Sequence, residues 1–219
     1  MSNNSIVVNL RRYIAERQFL PYNMAQQQRI GITGGIGSGK STVCRVLETM
    51  GFPVYYSDDE AKRIMQEDTE LIAAIKAEFG EASYTGRDSN RAYIARIIFQ
   101  QPEKKDSLNA LVHPRVRADF AAWSKRQKSD LVFQESALLF ETNGYKLLDK
   151  TVLVTAPEAV RIQRVSDRDQ LSPEAIAARI RNQMPDVEKI PLADFVIEND
   201  GIQLVIPQVL ELVKVLEEN

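Results

Sequence analysis

Residues 34–42 read "GGIGSGKST" and follow directly on the apolar run "RIGIT", and few folds can accommodate that pair. Glycine loses more backbone freedom on folding than any other residue, so Gly34, Gly35, Gly37 and Gly39 need a local compensation. An anion supplies it. A loop without Cβ atoms can turn successive N–H groups inward, and a helix starting at its end adds the positive end of its dipole. In Gly34-x-x-x-x-Gly39-Lys40-Ser41 the lysine is placed to reach β- and γ-phosphates, while the Ser41 hydroxyl can take one position on Mg²⁺. Ile30, Ile32 and Thr33 supply the strand that must precede such a loop. Val43, Val46, Leu47 and Met50 supply the helix that must follow, with Gly51 as its stop. Gly35, Ile36, Gly37, Ser38, Gly39, Lys40, Ser41 and Thr42 are therefore the expected phosphate-binding residues. The competing reading is a flexible glycine turn between strand and helix.

Composition narrows the partners. The chain has 219 residues, 44% of them hydrophobic, which suffices for a proper core. A net charge of −2 argues against a nucleic-acid surface and leaves small anions held by a local positive field. One cysteine, Cys44, excludes an internal disulfide and fits a reducing cytoplasm; inside the helix after the loop it reads as a packing residue. No membrane span is expected, since the apolar stretch "LVIPQVLELVKVL" is interrupted by Pro207, Gln208, Glu211 and Lys214. Residues 1–28 form an N-terminal extension without a signal-peptide core. They are read as non-essential: either Met24 is the natural start or the leader is a loosely docked helix.

Beyond the loop, short apolar runs alternate with helical segments. Strands are expected at 53–57, 130–136, 150–156 and 194–199, with a closing helix from about 206 to 218. That alternation indicates a parallel five-stranded sheet covered on both faces, with ligands at the carboxyl ends of the strands. Two segments depart from it. Residues 71–128 are almost wholly helical, with no strand expected among them. Residues 158–185 carry Arg161, Arg164, Arg168, Arg179 and Arg181 in a chain of net negative charge. These arginines are either solvated helix faces paired with nearby acids, or a lid that closes over a triphosphate.

The stretch "YYSDDEAKR" offers two compatible readings. Ser57 is an N-cap with Glu60 closing a capping box, and Asp58 and Asp59 favour the helix dipole. Alternatively, one aspartate accepts or orients the proton of an acceptor hydroxyl.

In order and spacing, "TGGIGSGKS", the Asp58–Asp59 pair, "FG" at 79–80, "LVHPRV", "ESALLFE", "RVSDRD" and "AD-x-VIEN" resemble the dephospho-CoA kinases. The likeness runs from Arg29 to the C-terminus. It implies a three-layer P-loop NTPase core (29–70, 129–157 and 186–219), a helical acceptor-substrate (CoA) domain (71–128) and an Arg-rich lid (158–185). It also implies transfer of the ATP γ-phosphate to the ribose 3′-hydroxyl of dephospho-CoA, the last step of coenzyme A synthesis. The family's second acidic residue falls on Asp59, and its first is replaced by Ser57. Ala137 stands where proline is common, and Glu135 where aspartate is usual. By resemblance Lys40, Asp59 and Arg168 are catalytic, Arg164 joins the ATP site, and Arg91 and His113 join the acceptor site. Ser41 and, through water, Glu135 would hold Mg²⁺. His113 is the only histidine, and beside a proline at an expected helix break it reads as a hydrogen-bonded structural residue that shapes the pocket. Trp123 reads as core. A nucleoside or nucleoside-monophosphate kinase is the nearest alternative, and a slow nucleotide-hydrolysing switch a more distant one.

Overall fold

The computed structural model describes residue 8, residues 13–15 and residues 27–218. In chain order the elements are β1 (Gln28–Thr33), α1 (Lys40–Thr49), β2 (Val54–Tyr56), α2 (Ser57–Glu67), α3 (Thr69–Phe79), β3 (Tyr84–Thr85), β4 (Asp88–Ser89), α4 (Arg91–Gln100) and α5 (Lys104–Ser124). They continue with β5 (Leu131–Glu135), β6 (Lys150–Thr155), α6 (Glu158–Asp169), α7 (Pro173–Arg181), α8 (Asp186–Lys189), β7 (Phe195–Glu198) and α9 (Val205–Glu217). The chain divides into two compact units, one of residues 1–55 with 127–219 and one of residues 56–126.

In the first unit the five strands lie in the order β2-β5-β1-β6-β7. β1 pairs in parallel with β5 on one side (Ile30 opposite Phe133) and with β6 on the other (Ile32 opposite Val152), and β6 pairs in parallel with β7. Central strands buried on both faces need continuous apolar side chains. Ile30, Ile32, Val132, Phe133, Val152, Leu153 and Val154 meet that need, all without solvent exposure. Each such burial contributes roughly 1.5–3 kcal/mol. Helices cover the sheet with matching stripes, Val43, Cys44 and Leu47 from α1 and Val209, Leu212, Val213 and Leu216 from α9. This is the expected α/β class with a parallel five-stranded sheet, and it puts the loop after β1 at the carboxyl edge.

The second unit is helical, with Leu71, Ile75, Phe79, Ile94, Val112, Val116 and Phe120 buried. Its helices have local reasons to start where they do. Asp68 accepts the N–H groups of Glu70 and Leu71 at the head of α3, and Asn90 that of Tyr93 at the head of α4. Arg63 ties α2 to itself and to α5 through Glu60, Glu67 and Asp119.

Three expectations are corrected here. A strand pair does interrupt the helical segment: β3 and β4 form an antiparallel hairpin closed at Gly86, whose φ of 65° suits glycine. Two-residue strands are too short to show alternation. The compact unit that holds these helices runs from Tyr56 to Arg126 and includes α2. The capping box is not formed, because α2 begins on Ser57 itself with Tyr56 at the cap position, and Glu60 bonds Arg63. Finally, Pro114 does not break a helix: α5 runs through it from Lys104 to Ser124.

Met24 and most of the N-terminal extension lie outside the described residues. Within it, Tyr13 is helical, donates to Glu217 Oε1 at 2.7 Å and stacks on Phe52 with ring centroids 6.4 Å apart. Among the described residues no helix is long and apolar enough to cross a membrane.

Candidate active site

β1 ends on the buried Thr33 and hands the chain to the glycine loop, which closes on Gly39 as the left-handed cap of α1 (φ 98°). A Cβ there would sit 1.9 Å from Asn199 Nδ2, so position 39 excludes side chains on two counts. The first turn of α1 carries no acidic residue, which leaves its positive end free to act on an anion. Ser41 and Thr42 are exposed in that turn.

Lys40 folds back over the loop, its Nζ donating to the Gly34 carbonyl at 2.9 Å and standing 3.8 Å from Glu135 Oε1. Both side chains are 12% exposed, so each charge is partly desolvated and depends on the other. Glu135 ends β5 and Lys40 opens α1. The sheet order thus joins two residues the sequence reading named separately.

Several side chains grip the loop from outside. Asn199, just past β7, donates from Nδ2 to the Ser38 carbonyl at 2.9 Å and accepts at Oδ1 from Arg164 Nη2 at 3.2 Å. Arg164 also stands 3.5 Å from the carbonyls of Gly37 and Ser38. Arg161, one turn earlier on α6, donates from Nε to the Ile36 carbonyl at 2.9 Å, and Gln183 Oε1 accepts the Ile36 N–H at 2.8 Å. Arg168 takes no part in this grip. It is 63% exposed and forks onto its neighbour Asp169 through Nε (2.7 Å) and Nη2 (2.9 Å).

Of the expected site residues, the structure therefore brings together the loop, Lys40, Ser41, Glu135 and Arg164. It adds Gln183 and Asn199, to which the sequence reading gave no role, and Arg161, which that reading named only as one of the five arginines of the possible lid. Arg161 had one signal, its place three residues before Arg164 on the same helical face.

The remaining candidates belong to the helical unit. Asp59 is exposed in the first turn of α2 and pairs with Lys62. Arg91 is exposed at the first position of α4. His113 is half-buried, and burial followed by the Arg117 charge pushes its imidazole below the ordinary histidine range, favouring the neutral ring. Cys44 is buried, and burial with the Glu135 and Glu48 charges pushes its thiol far up, so it is the packing residue expected.

The donor set suits Mg²⁺ better than a metal caged by protein. Among the described residues no three His, Cys, Asp or Glu side chains gather as a metal site. A hydroxyl in the first turn of α1 and one carboxylate at the end of β5 are what an ion sharing its shell with phosphates and water requires.

The dephospho-CoA kinase family matches residues 28–204. A dephospho-CoA kinase of Bacteroides fragilis is 42% identical over 189 residues, covering 86% of this chain and 92% of the relative. One of Salinibacter ruber is 45% identical over 176 residues, covering 78% and 88%. Among solved structures, a Thermus thermophilus protein superposes with a TM-score of 0.78 at 41% identity over 86% of this chain and 97% of that one. The dephospho-CoA kinase of Campylobacter jejuni gives 0.62 at 28% identity, covering 87% and 96%. With a match this long, at this identity, on a parallel sheet bearing this loop, the chain belongs to the dephospho-CoA kinase family.

Proposed function

We propose that this chain transfers the γ-phosphate of ATP to the ribose 3′-hydroxyl of dephospho-CoA, giving coenzyme A and ADP. The observation that carries the reading is the glycine loop with Lys40 and Glu135 at its mouth, in a chain of this family. Phosphoryl transfer asks a protein mainly for positioning and charge stabilisation. Here the loop amides and α1 hold the phosphates. Lys40, released from the Gly34 carbonyl, reaches the β- and γ-oxygens. Arg164 and Arg168 act from the lid, Arg168 turning from Asp169 to the transferring group.

Asp59 orients the acceptor hydroxyl and takes its proton as the oxygen attacks phosphorus and the bond to the leaving ADP oxygen breaks. Arg91 and His113 shape the acceptor pocket within the helical unit. Ser41 and, through water, Glu135 would hold Mg²⁺; when bound, it neutralises charge on the phosphate oxygens. A cytoplasmic location, which the single cysteine fits, belongs to the same proposal.

A coupled assay for ADP release tests the reading, with dephospho-CoA, nucleosides and nucleoside monophosphates offered in turn. Turnover with dephospho-CoA alone is the expected outcome. Turnover with a nucleoside or nucleoside monophosphate instead would reassign the acceptor, and turnover without any acceptor would make the chain a nucleotide switch.

A further inference from the structure

Among the described residues, residue 36 is the one loop position held at both of its main-chain groups by side chains from elsewhere in the chain. Its carbonyl accepts from Arg161 Nε at 2.9 Å, and its N–H donates to Gln183 Oε1 at 2.8 Å. Arg161 stands near the start of the 158–185 segment and Gln183 near its end, so the two roots of that segment meet on one residue. The fit is close. A Cβ on Gly35 would lie 2.1 Å from Arg161 Nη2, and one on Gly37 2.6 Å from the Arg161 carbonyl. Those glycines therefore admit Arg161 as well as an anion.

A buried charged group backs the contact. Lys189 has no solvent exposure, and its Nζ stands 3.0 Å from Glu141 Oε1 without hydrogen-bond alignment. The same Glu141 oxygen accepts the N–H of Met184, the residue after Gln183. Asp186 Oδ2 faces Arg161 Nη1 at 3.4 Å. Glu141 Oε2 and Asp186 Oδ1 are buried without partners. Such an arrangement is costly to build, since desolvated charges return little net stability over an apolar core. What it does accomplish is to fix the chain around Gln183 and the guanidinium of Arg161.

We propose that Arg161 and Gln183 are positioning residues for the nucleotide. By holding both main-chain groups of Ile36 they set the shape of the phosphate loop before ATP arrives, with the buried Lys189 and the half-buried Glu141 and Asp186 as their support. The inference rests on the phosphate-loop reading above. It also implies that movement of the arginine segment is felt in the loop, because both roots end on the same residue.

The test uses Gln183→Met, which keeps side-chain length and removes the acceptor. In nucleotide-free protein the Ile36 amide should exchange with solvent faster than in wild type, by about three- to tenfold for one hydrogen bond. The ATP Kd should rise by a similar factor. The KM for dephospho-CoA should stay within about twofold and the melting temperature within about 6 °C, as suits a single polar contact. Arg161→Met should raise the ATP Kd too, and the double variant should fall short of the product of the two effects, since both grips act on one residue.

Wild-type exchange at Ile36 would overturn the proposal. So would a lowered melting temperature with an unchanged ATP Kd, which would reduce the two residues to structural support. Lys40→Met separates the levels. If it abolishes ATP binding while both other variants bind normally, the Ile36 tie alone fails; if it binds ATP normally, the phosphate-loop reading fails and takes the tie with it.

Discussion

Gly35→Ala adds one methyl group, and its cost can be read from the contacts of Arg161. Gly35 carries no left-handed backbone, so alanine meets no conformational obstacle there. The obstacle is the guanidinium: the new Cβ would lie 2.1 Å from Nη2 and 2.5 Å from Cζ, where ordinary contact begins at 3.4 Å. A withdrawal of about 1.3 Å is needed (3.4 less 2.1). A surface arginine would swing aside, but this side chain is 7% exposed and bonded to the Ile36 carbonyl at 2.9 Å. Retreat breaks that bond, and a buried bond to a charged donor is worth about 1.5–3 kcal/mol. At roughly 2–4 °C per kcal/mol for a chain of this size, the nucleotide-free protein should melt about 3–12 °C lower, by calorimetry or circular dichroism. Arg161→Ala supplies the control. With the obstacle removed, adding Gly35→Ala should cost little more than Arg161→Ala alone, a clear departure from additivity. A melting temperature within about 1 °C of wild type for Gly35→Ala, or strict additivity in the double variant, would refute the reasoning.

Other perturbations address the chemistry. Arg168→Ala should lower kcat by on the order of 10² or more while barely moving the melting temperature, because its resting partner is an exposed neighbour; normal turnover in steady-state assays would leave Arg168 a solvated charge. Asp59→Asn should lower kcat by roughly 10²–10⁴ with ATP affinity near wild type, and a fully active variant would pass the role to Asp58. Asp194 gives a pH signature. Burial pushes its carboxyl up, but the Thr151 N–H and hydroxyl and the Lys150 ammonium outweigh that and hold it below the ordinary range. Its stabilisation should thus be complete above about pH 3.9 and vanish as pH falls through the lower native value. Denaturant midpoints of wild type and Asp194→Asn should accordingly converge on acidification, and a gap that widens instead would contradict the assignment.

How much of this was legible in the sequence depended on how local each signal is. The glycine loop is contiguous, and its chemistry could be stated from nine residues. The strands buried on both faces announced themselves as unbroken apolar runs, β6 beginning at Lys150 as expected and β5 within one residue. The β3–β4 hairpin has two residues per strand, too few for any periodicity, and only Gly86 marked it. The capping box failed because helix boundaries depend on where the preceding strand lets go, and β2 runs to the residue before Ser57. The grip on the loop was the least legible part. Arg161, Gln183 and Asn199 stand 125, 147 and 161 residues from their loop partners, and each bonds a main-chain group. A main-chain partner leaves no trace in residue type, so nothing in the loop's own sequence could name them.

The buried thiol of Cys44 has a practical corollary. As the chain's sole sulfhydryl, lying on α1 with no solvent exposure and with its thiolate form suppressed by burial and by neighbouring carboxylates, it can meet an alkylating reagent only when that helix opens away from the sheet. A single mass shift then counts openings of the nucleotide-binding unit, one molecule at a time, without a dye or an engineered label. Slower labelling when ATP is added would measure, in the wild-type protein, how strongly the nucleotide holds that helix shut.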